Sequence, residues 1–433
     1  MKKFFIQTFG CQMNVYDSWR IAAMLEHHGL SQTDNIPDAD IIILNTCAVR
    51  AKATDKVFSA LGRIKRAKKT SALFGIVGCV AREAGATAFR RIPELNFVLG
   101  PQSYHKLPQI IENPDARLLN IDLGGLEKFD EMPQMITSPT VTYIPIQEGC
   151  NHVCTYCIVP YTRGRELSRS FNDVMRDTIH ATSTGAVEIC FLGQNVNGYK
   201  YTDESGKTYR LSDLIRETAK IDAVKRIRFT SSYPTEMTDD LIAMFASEPK
   251  LLPFLNMPIQ SGSENVLRRM NRPYSLELYM DIIHKLRIAR PDIQISSDFI
   301  VGFPGESDDD FEQTMQIADN VKYINSYSFK YSPRPHTAAA LMPDQIPENI
   351  KAQRLAKLDE KLNELQRAFN ESCVDKTMEC LLEGPDKTGK NYIYRTPYMQ
   401  QCVVSVPDGT PAPTLAQIQI TDANKASLRG KIV

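Results

Sequence analysis

The 433-residue chain has no net charge, its 51 lysines and arginines balancing 51 aspartates and glutamates. Bulk charge therefore argues for neither a nucleic-acid nor a membrane partner, although a neutral total can hide local patches. No apolar run is long enough to span a bilayer, and the first residues form no signal-peptide core, so a cytoplasmic location and no membrane partner are expected. In a reducing compartment the ten cysteines should stay out of disulfides, which leaves metal binding or catalysis. The cysteines also lack a fourth partner. Cys150, Cys154 and Cys157 form a C-x3-C-x2-C run within EGCNHVCTYCIVPYTRGR. Zinc asks for four ligands and a second pair at a distance, and His152 lies badly for a tetrahedron with the cysteines around it. Three thiolates instead suit three corners of a four-iron cluster, with one iron left open to a ligand that is not protein.

Residues 1–100 alternate strand and helix. The short apolar runs Phe4–Thr8, Ile41–Leu44 and Leu73–Val77 read as buried parallel strands, with helical patterns over Ser18–His28 and Ala53–Lys68. This order predicts a doubly wound α/β sheet whose strand C-termini open onto one ligand-binding edge. Cys11, Cys47 and Cys79 each fall just beyond a strand end, so they are expected to converge in space. From 101 to about 140 the pattern weakens into a linker with one short strand or hairpin.

A second alternation follows. Strands are expected at Tyr143–Ile146, Val187–Leu192, Arg226–Thr230, Phe254–Ile259, Ile293–Val301 and Ser326–Lys330, with helices near 171–183, 211–220, 237–247, 275–289, 308–321 and 348–369. Six βα units predict a partial (β/α)6 TIM-like barrel with its polar groups on the C-terminal rim: Gln147, Gln194, Asn195, Ser231, Ser232, Gln260 to Ser263, Ser297 and Asp298. Residues 371–433 hold short β-like runs separated by Gly and Pro, the pattern of a small all-β barrel. The expected domains are 1–130, α/β with its linker; 131–370, the partial barrel; and 371–433, the small β-barrel.

The C-x3-C-x2-C run, with Tyr156 before its third cysteine and the first barrel strand before it, resembles the radical S-adenosylmethionine (AdoMet) superfamily. The words TFGCQMN, LNTCAVR and GCVAR around the scattered cysteines resemble the methylthiotransferase family within it. That resemblance continues through IPIQEGCNHVCTYCIVPYTRGRELSR, FLGQNVNGY, MPIQSGSENVLRRMNRPY, SSDFIVGFPGES and YSPRPHTAAA, nearly the whole chain. It implies an enzyme with two [4Fe–4S] clusters that inserts sulfur and a methyl group into a C–H bond. Cys150, Cys154 and Cys157 would hold the cluster whose open iron chelates AdoMet, the source of a 5′-deoxyadenosyl radical. Cys11, Cys47 and Cys79 would hold an auxiliary cluster carrying the sulfur, which a further AdoMet methylates. The two triads are then expected to face one cavity.

The resemblance also marks Tyr156, Ser297, Asp298, Gly302 and Pro304 as cofactor contacts, an ordinary strand-to-helix turn being the alternative for the last four. Gln194, Asn195, Ser232 and Gln260 on the rim are candidate cofactor contacts that could instead satisfy buried backbone groups. Arg163 and Arg165, with Arg169 beside them, are expected to reach AdoMet's carboxylate or a substrate phosphate, and Arg395 to contact RNA. No catalytic side chain beyond the cluster ligands is assigned. CQMNVYDS, NTCAVRAKATDKVFSALG and CIVPYTRGRE look closest to the branch that modifies N6-isopentenyladenosine at position 37 of tRNA. N6-threonylcarbamoyladenosine and a ribosomal-protein aspartate remain alternatives, and a non-catalytic metal-containing RNA-binding protein is a reading of another class. The C-terminal module resembles a TRAM domain, in which Tyr392, Tyr394 and Tyr398 would stack on unpaired bases or fill the core. The basic run Arg63, Lys65, Arg66, Lys68 and Lys69 reads as a solvated helix face or a phosphate track. Expected partners are the tRNA anticodon stem-loop, an electron donor such as flavodoxin or ferredoxin, and a sulfur donor, for a monomeric chain. Cys190, Cys373, Cys380 and Cys402 are expected to be ordinary buried residues. Tyr394, His336, Asn256 and Tyr233 depart from the family pattern, which has glycine at the first two and histidine at the others.

Overall fold

A computed structural model describes residues 1–48, 51–406 and 411–433. Six parallel strands, β1 (Lys3–Thr8), β2 (Ser31–Gln32), β3 (Ile41–Thr46), β4 (Leu73–Gly78), β5 (Phe97–Leu99) and β6 (Leu118–Asn120), form a first sheet in the order β2-β1-β3-β4-β5-β6. Its central strand explains the double winding. Successive side chains of a strand point to opposite faces. Ile41 and Ile43 enter one apolar cluster with Ile21, Met24 and Leu25 of the helix Gln12–His27. Ile42 and Leu44 enter another with Val57, Leu61 and Ile64 of the helix Ala51–Ala67. Both faces are covered, so the strand reads as an unbroken apolar run. The expected linker is largely part of this unit: Tyr104, Leu107 and Ile110 pack into the first cluster and β6 closes the sheet edge. β5 and β6 span three residues each, too short for a periodic signal.

Beyond it run β7 (Val141–Pro145), β8 (Gln147–Glu148), β9 (Leu167–Ser168), β10 (Glu188–Leu192), the hairpin β11 (Lys200–Thr202) and β12 (Thr208–Arg210), β13 (Arg226–Phe229), β14 (Phe254–Asn256), β15 (Gln294–Ser296), β16 (Asp298–Val301) and β17 (Tyr327–Lys330). β7, β10 and β13 are parallel neighbours, as are β14 with β15 and β16 with β17. The pairing follows chain order around a crescent, with single parallel bridges Ile227–Leu251 and Gln260–Phe299 between the segments. The strand expected over Ile293–Val301 is broken at Ser297, whose N–H donates to Ser326 Oγ at 3.0 Å while its Oγ accepts from Ile259 N at 2.9 Å. Helices pack outside, in a continuous core containing Ile144, Ile189, Phe191, Ile227 and Phe229. The alternate residues Cys190 and Leu192 meet Met13, with Tyr143 packed against them. Trp19 stacks on Tyr143 at 5.1 Å. The first helix of the chain therefore lies against the other face of the first barrel strands.

The last strands, β18 (Thr377–Pro385), β19 (Tyr392–Arg395), β20 (Gln401–Val404), β21 (Leu415–Ala423) and β22 (Leu428–Ile432), close a barrel in the order β18-β19-β20-β22-β21. β22 is absent from the sequence reading: Gly430 interrupts its apolar pattern, and a Cβ there would collide with Ile418. Cys373, Cys380 and Cys402 lie in this barrel's core and Cys190 under the first helix, all buried as expected.

Candidate functional site

The scattered cysteines sit at three strand C-termini. Cys11 caps the helix Gln12–His27 after β1, Cys47 follows β3, and Cys79 opens the helix Cys79–Ala84 after β4. A pair of fully buried asparagines ties the first two turns together. Asn14 Nδ2 donates to Asn45 Oδ1 at 2.8 Å and to Thr46 O at 3.0 Å, and Asn45 Nδ2 returns a bond to Asn14 O at 2.8 Å. Cys11 Sγ donates to Asn14 Oδ1 at 3.3 Å. A hydrogen bond with Cys47 pulls the Cys11 thiol down to about 6, whereas burial pushes the Cys79 thiol up. Asn14 and Asn45 went unassigned in the sequence although they stand inside CQMN and LNTC; nothing in their spacing says that they face each other.

The local triad lies on the loop between β8 and β9. Gly149, at φ +77°, turns the chain into it, because a Cβ there would strike the Arg165 backbone. The loop is pinned at several points: Cys150 N to Gly164 O at 3.2 Å, Thr155 N to Met270 O at 3.0 Å, and Ala339 N to Thr155 O at 2.8 Å. Burial pushes the Cys150 thiol up to about 12 and the Cys157 thiol up to about 11. His152 turns toward Glu236, 3.1 Å away, and stacks on Tyr233 at 3.7 Å. Arg272, buried over the Tyr233 and Tyr274 rings, brings Nη1 to 3.9 Å from Cys154 Sγ. This charged neighbour of the loop was missed within RRMNRPY, since only the fold carries it there. The two triads adjoin, for Cys79 packs with Ala48, Val80 and Ile158, the residue after Cys157.

Residues 3–100 match the uncharacterized protein family UPF0004, and residues 144–318 match the radical SAM superfamily. The chain is 46% identical over 443 residues to the tRNA-2-methylthio-N(6)-dimethylallyladenosine synthase of Rickettsia conorii, covering 100% of both chains. With the synthase of the same name from Rickettsia bellii it shares 46% over 442 residues, covering 100% of this chain and 99% of that one. The chain belongs to the radical SAM methylthiotransferase family. Its fold is similar to that of TsrM, a radical S-adenosylmethionine methyltransferase from Kitasatospora setae solved with cobalamin and a [4Fe–4S] cluster (TM-score 0.54, 12% identity, 78% of this chain and 74% of that one). The cobalamin-dependent S-adenosylmethionine radical enzyme OxsB gives a TM-score of 0.53 at 11% identity, over 84% of this chain and 56% of that one.

The donor set of this methylthiotransferase fits the groups its superfamily uses. Among the described residues no three His, Cys, Asp or Glu side chains are close enough to share one metal ion; a cluster instead spreads its thiolates over separate irons. On the rim, Gln147 Oε1 and Nε2, Gln194 Nε2, Asn195 Oδ1, Ser232 Oγ and Glu236 Oε2 are buried without partners. Buried polar groups rarely stay unpaired, so together they suit a polar ligand. Ser231, the residue before Ser232, holds φ of +65°, and such strain in residues other than glycine is found at functional sites.

Other expectations fare differently. Tyr156 is packed edge-on against Phe303 at 6.3 Å. Asp298 opens β16 on the rim. Ser297 is fully buried and its hydroxyl serves Ile259 N, so it ties strands together rather than facing a ligand. Gly302 is needed for packing, because a Cβ would meet Lys351, and Pro304 O is taken by Arg269 Nε at 2.9 Å. Arg163 and Arg169 are buried in ion pairs with Glu148 and Asp177 and do not reach outward. Arg165 is exposed. Arg395 is clasped by Glu383, Nη2 to Oε2 at 2.6 Å. Tyr394 is core, whereas Tyr398 is half-buried, its OH donating to Asp292 at 3.1 Å and its ring edge-on to Phe369 at 5.5 Å. The basic run lies largely exposed on and just after the helix Ala51–Ala67, where Lys65 pairs with Glu94 and Lys69 with Asp40. Among the described residues no helix is long and apolar enough to cross a membrane.

Proposed function

We propose that this chain is a tRNA methylthiotransferase that converts N6-isopentenyladenosine at position 37 to its 2-methylthio form, with two [4Fe–4S] clusters and two AdoMet molecules. The observation that carries this reading is the adjacency of two three-thiol sets, through Cys79 against Ile158 beside Cys157. Bound there, the clusters and AdoMet supply the radical and the sulfur that no side chain offers. Cys11, Cys47 and Cys79 would hold the auxiliary cluster, and Cys150, Cys154 and Cys157 the radical cluster. Gln147, Gln194, Asn195 and Ser232 would bind AdoMet's polar groups with the atoms left unpaired, and Tyr156 would wall the site.

The reading divides the chain into an α/β unit (1–130), a partial barrel (131–370) and a TRAM-like module (371–433). With Arg395 already paired, Arg165 is the exposed base near the loop that would meet tRNA phosphate. A cytoplasmic monomer served by a flavodoxin- or ferredoxin-type donor and by a separate sulfur source completes the reading. Mass spectrometry of tRNA nucleosides from cells lacking the gene tests it. N6-isopentenyladenosine should accumulate as the 2-methylthio nucleoside disappears; persistence of the latter would overturn the assignment.

A further inference from the structure

Four ionisable side chains are buried together where the first sheet, the segment after it and the barrel meet. Asp17 comes from the helix Gln12–His27, Lys128 from the short helix Glu127–Asp130, Glu148 from the end of β8, and Arg163 from the last turn of Val159–Arg163. Their exposures are 1%, 2%, 1% and 5%. Arg163 Nη1 lies 2.5 Å from Glu148 Oε1, and its Nη2 lies 3.4 Å from Asp17 Oδ2. Lys128 Nζ lies 2.9 Å from Glu148 Oε2 and 3.3 Å from Asp17 Oδ1. Each base spans both acids, and the square is neutral. Tyr104 OH closes it with a 3.1 Å bond to Asp17 Oδ2.

Stability alone does not account for such a group. Desolvating four charges is expensive, and an apolar cluster of the same volume often holds a fold as well. What the square has that an apolar cluster lacks is direction, since each bond fixes an angle as well as a distance. Its corners also lie beside the cysteines. Asp17 is on the helix that begins after Cys11, Glu148 lies just before Cys150, and Arg163 ends the helix that follows Cys157. The Arg163 guanidinium also lies close enough to the Cys79 thiol to offset part of the effect of its burial. One side chain thereby joins the supports of both triads.

We propose that Arg163 is a positioning residue that sets the separation and orientation of the Cys11–Cys47–Cys79 triad relative to the Cys150–Cys154–Cys157 triad. The inference rests on the methylthiotransferase reading. Arginine suits this corner because its planar fork sends Nη1 to Glu148 and Nη2 to Asp17 in fixed directions, whereas lysine presents a single point of charge.

Two variants test this. Arg163→Lys keeps the charge and loses the fork. The double variant Arg163→Met/Glu148→Gln removes one charge of each sign, leaving Asp17 paired with Lys128, so no unbalanced charge is buried. Wild-type enzyme is assayed first for iron content and methylthiolated tRNA; failure there would sink the functional reading and is seen without any variant. In both variants 5′-deoxyadenosine formation should persist while methylthio product per 5′-deoxyadenosine falls about tenfold or more, as misplacing reacting groups does. The dipolar coupling between the two reduced clusters, read by pulsed electron paramagnetic resonance, should shift or broaden. In the cluster-free chain, amide exchange in Gln12–His27 and Val159–Arg163 should quicken. A wild-type product ratio with unchanged dipolar coupling in Arg163→Lys would overturn the proposal.

Discussion

Three of the six cysteines follow a glycine whose φ is positive: Gly10 at +124°, Gly78 at +93° and Gly149 at +77°. In the proposed site the thiol would supply the ligand and the glycine the approach. A Cβ on Gly10 would occupy the space of Cys47 Cβ, so the two thiols meet only because residue 10 has no side chain. Gly10→Ala should therefore lower reconstituted iron from about eight to about four per chain, by loss of the auxiliary cluster alone, measured by iron and sulfide analysis on protein that remains folded by circular dichroism. The cysteines separate the two halves of the chemistry. Cys154→Ala should abolish 5′-deoxyadenosine formation, read by chromatography of AdoMet products, and retention of that product would contradict the radical assignment. Cys47→Ala should leave AdoMet cleavage intact and eliminate methylthiolated tRNA, and product in that variant would remove the auxiliary-cluster role.

Among the secondary-structure elements, β10 and β13 carry a buried charge group of their own. Glu188 Oε1 lies 2.5 Å from Arg228 Nε and its Oε2 lies 2.8 Å from Arg226 Nε, all three residues being buried. Burial works against the Glu188 charge, but Arg228 and then Arg226 outweigh it and hold the carboxyl below its usual range. A carboxyl depressed in the folded chain contributes stability above its unfolded pKa, about 4.3, and loses that contribution as pH falls through the folded value. Glu188→Gln should destabilise by about 3–5 kcal/mol at neutral pH by stranding two buried cations. In urea melts across pH, the gap from wild type should narrow below about pH 4. Most strands and helices of the fold were legible in the sequence because their patterns are long and regular: Ile41–Leu44 reads as a buried strand, found over Ile41–Thr46, and Phe171–Ser183 as a helix. β5 and the hairpin of β11 and β12 were not, having three residues a strand, and neither was β22, whose apolar pattern Gly430 interrupts. In the site, the cysteines were legible from position, whereas the pairing of Asn14 with Asn45 and the burial of Arg163 depend on contacts between distant segments that no local pattern encodes.

For the whole molecule, the closed β-barrel is held to the partial barrel by polar ties from several strands and helices. Arg226 Nη1 donates to Arg395 O at 2.8 Å and its Nη2 to Thr396 O at 3.0 Å. Asn325 Nδ2 donates to Tyr398 O at 2.9 Å. Arg226→Met leaves Glu188 paired with Arg228 but removes two of the bonds that hold the C-terminal barrel. The affinity for tRNA, measured by filter binding at fixed salt, should weaken roughly tenfold, in keeping with the loss of hydrogen bonds from a charged donor. AdoMet cleavage without tRNA should not change. The placement of the first helix has a different consequence, for biosynthesis. Domains generally fold as units, the N-terminal one first, as a chain emerges from the ribosome. The first sheet closes with β6 at Asn120, so Met13, Trp19 and Asp17 are already displayed when β7 emerges. Tyr143, and later Cys190 and Leu192, then find a formed surface to settle on. A ribosome-stalled chain ending near residue 230 should already protect the first helix from protease, and the same segment made without residues 1–120 should aggregate.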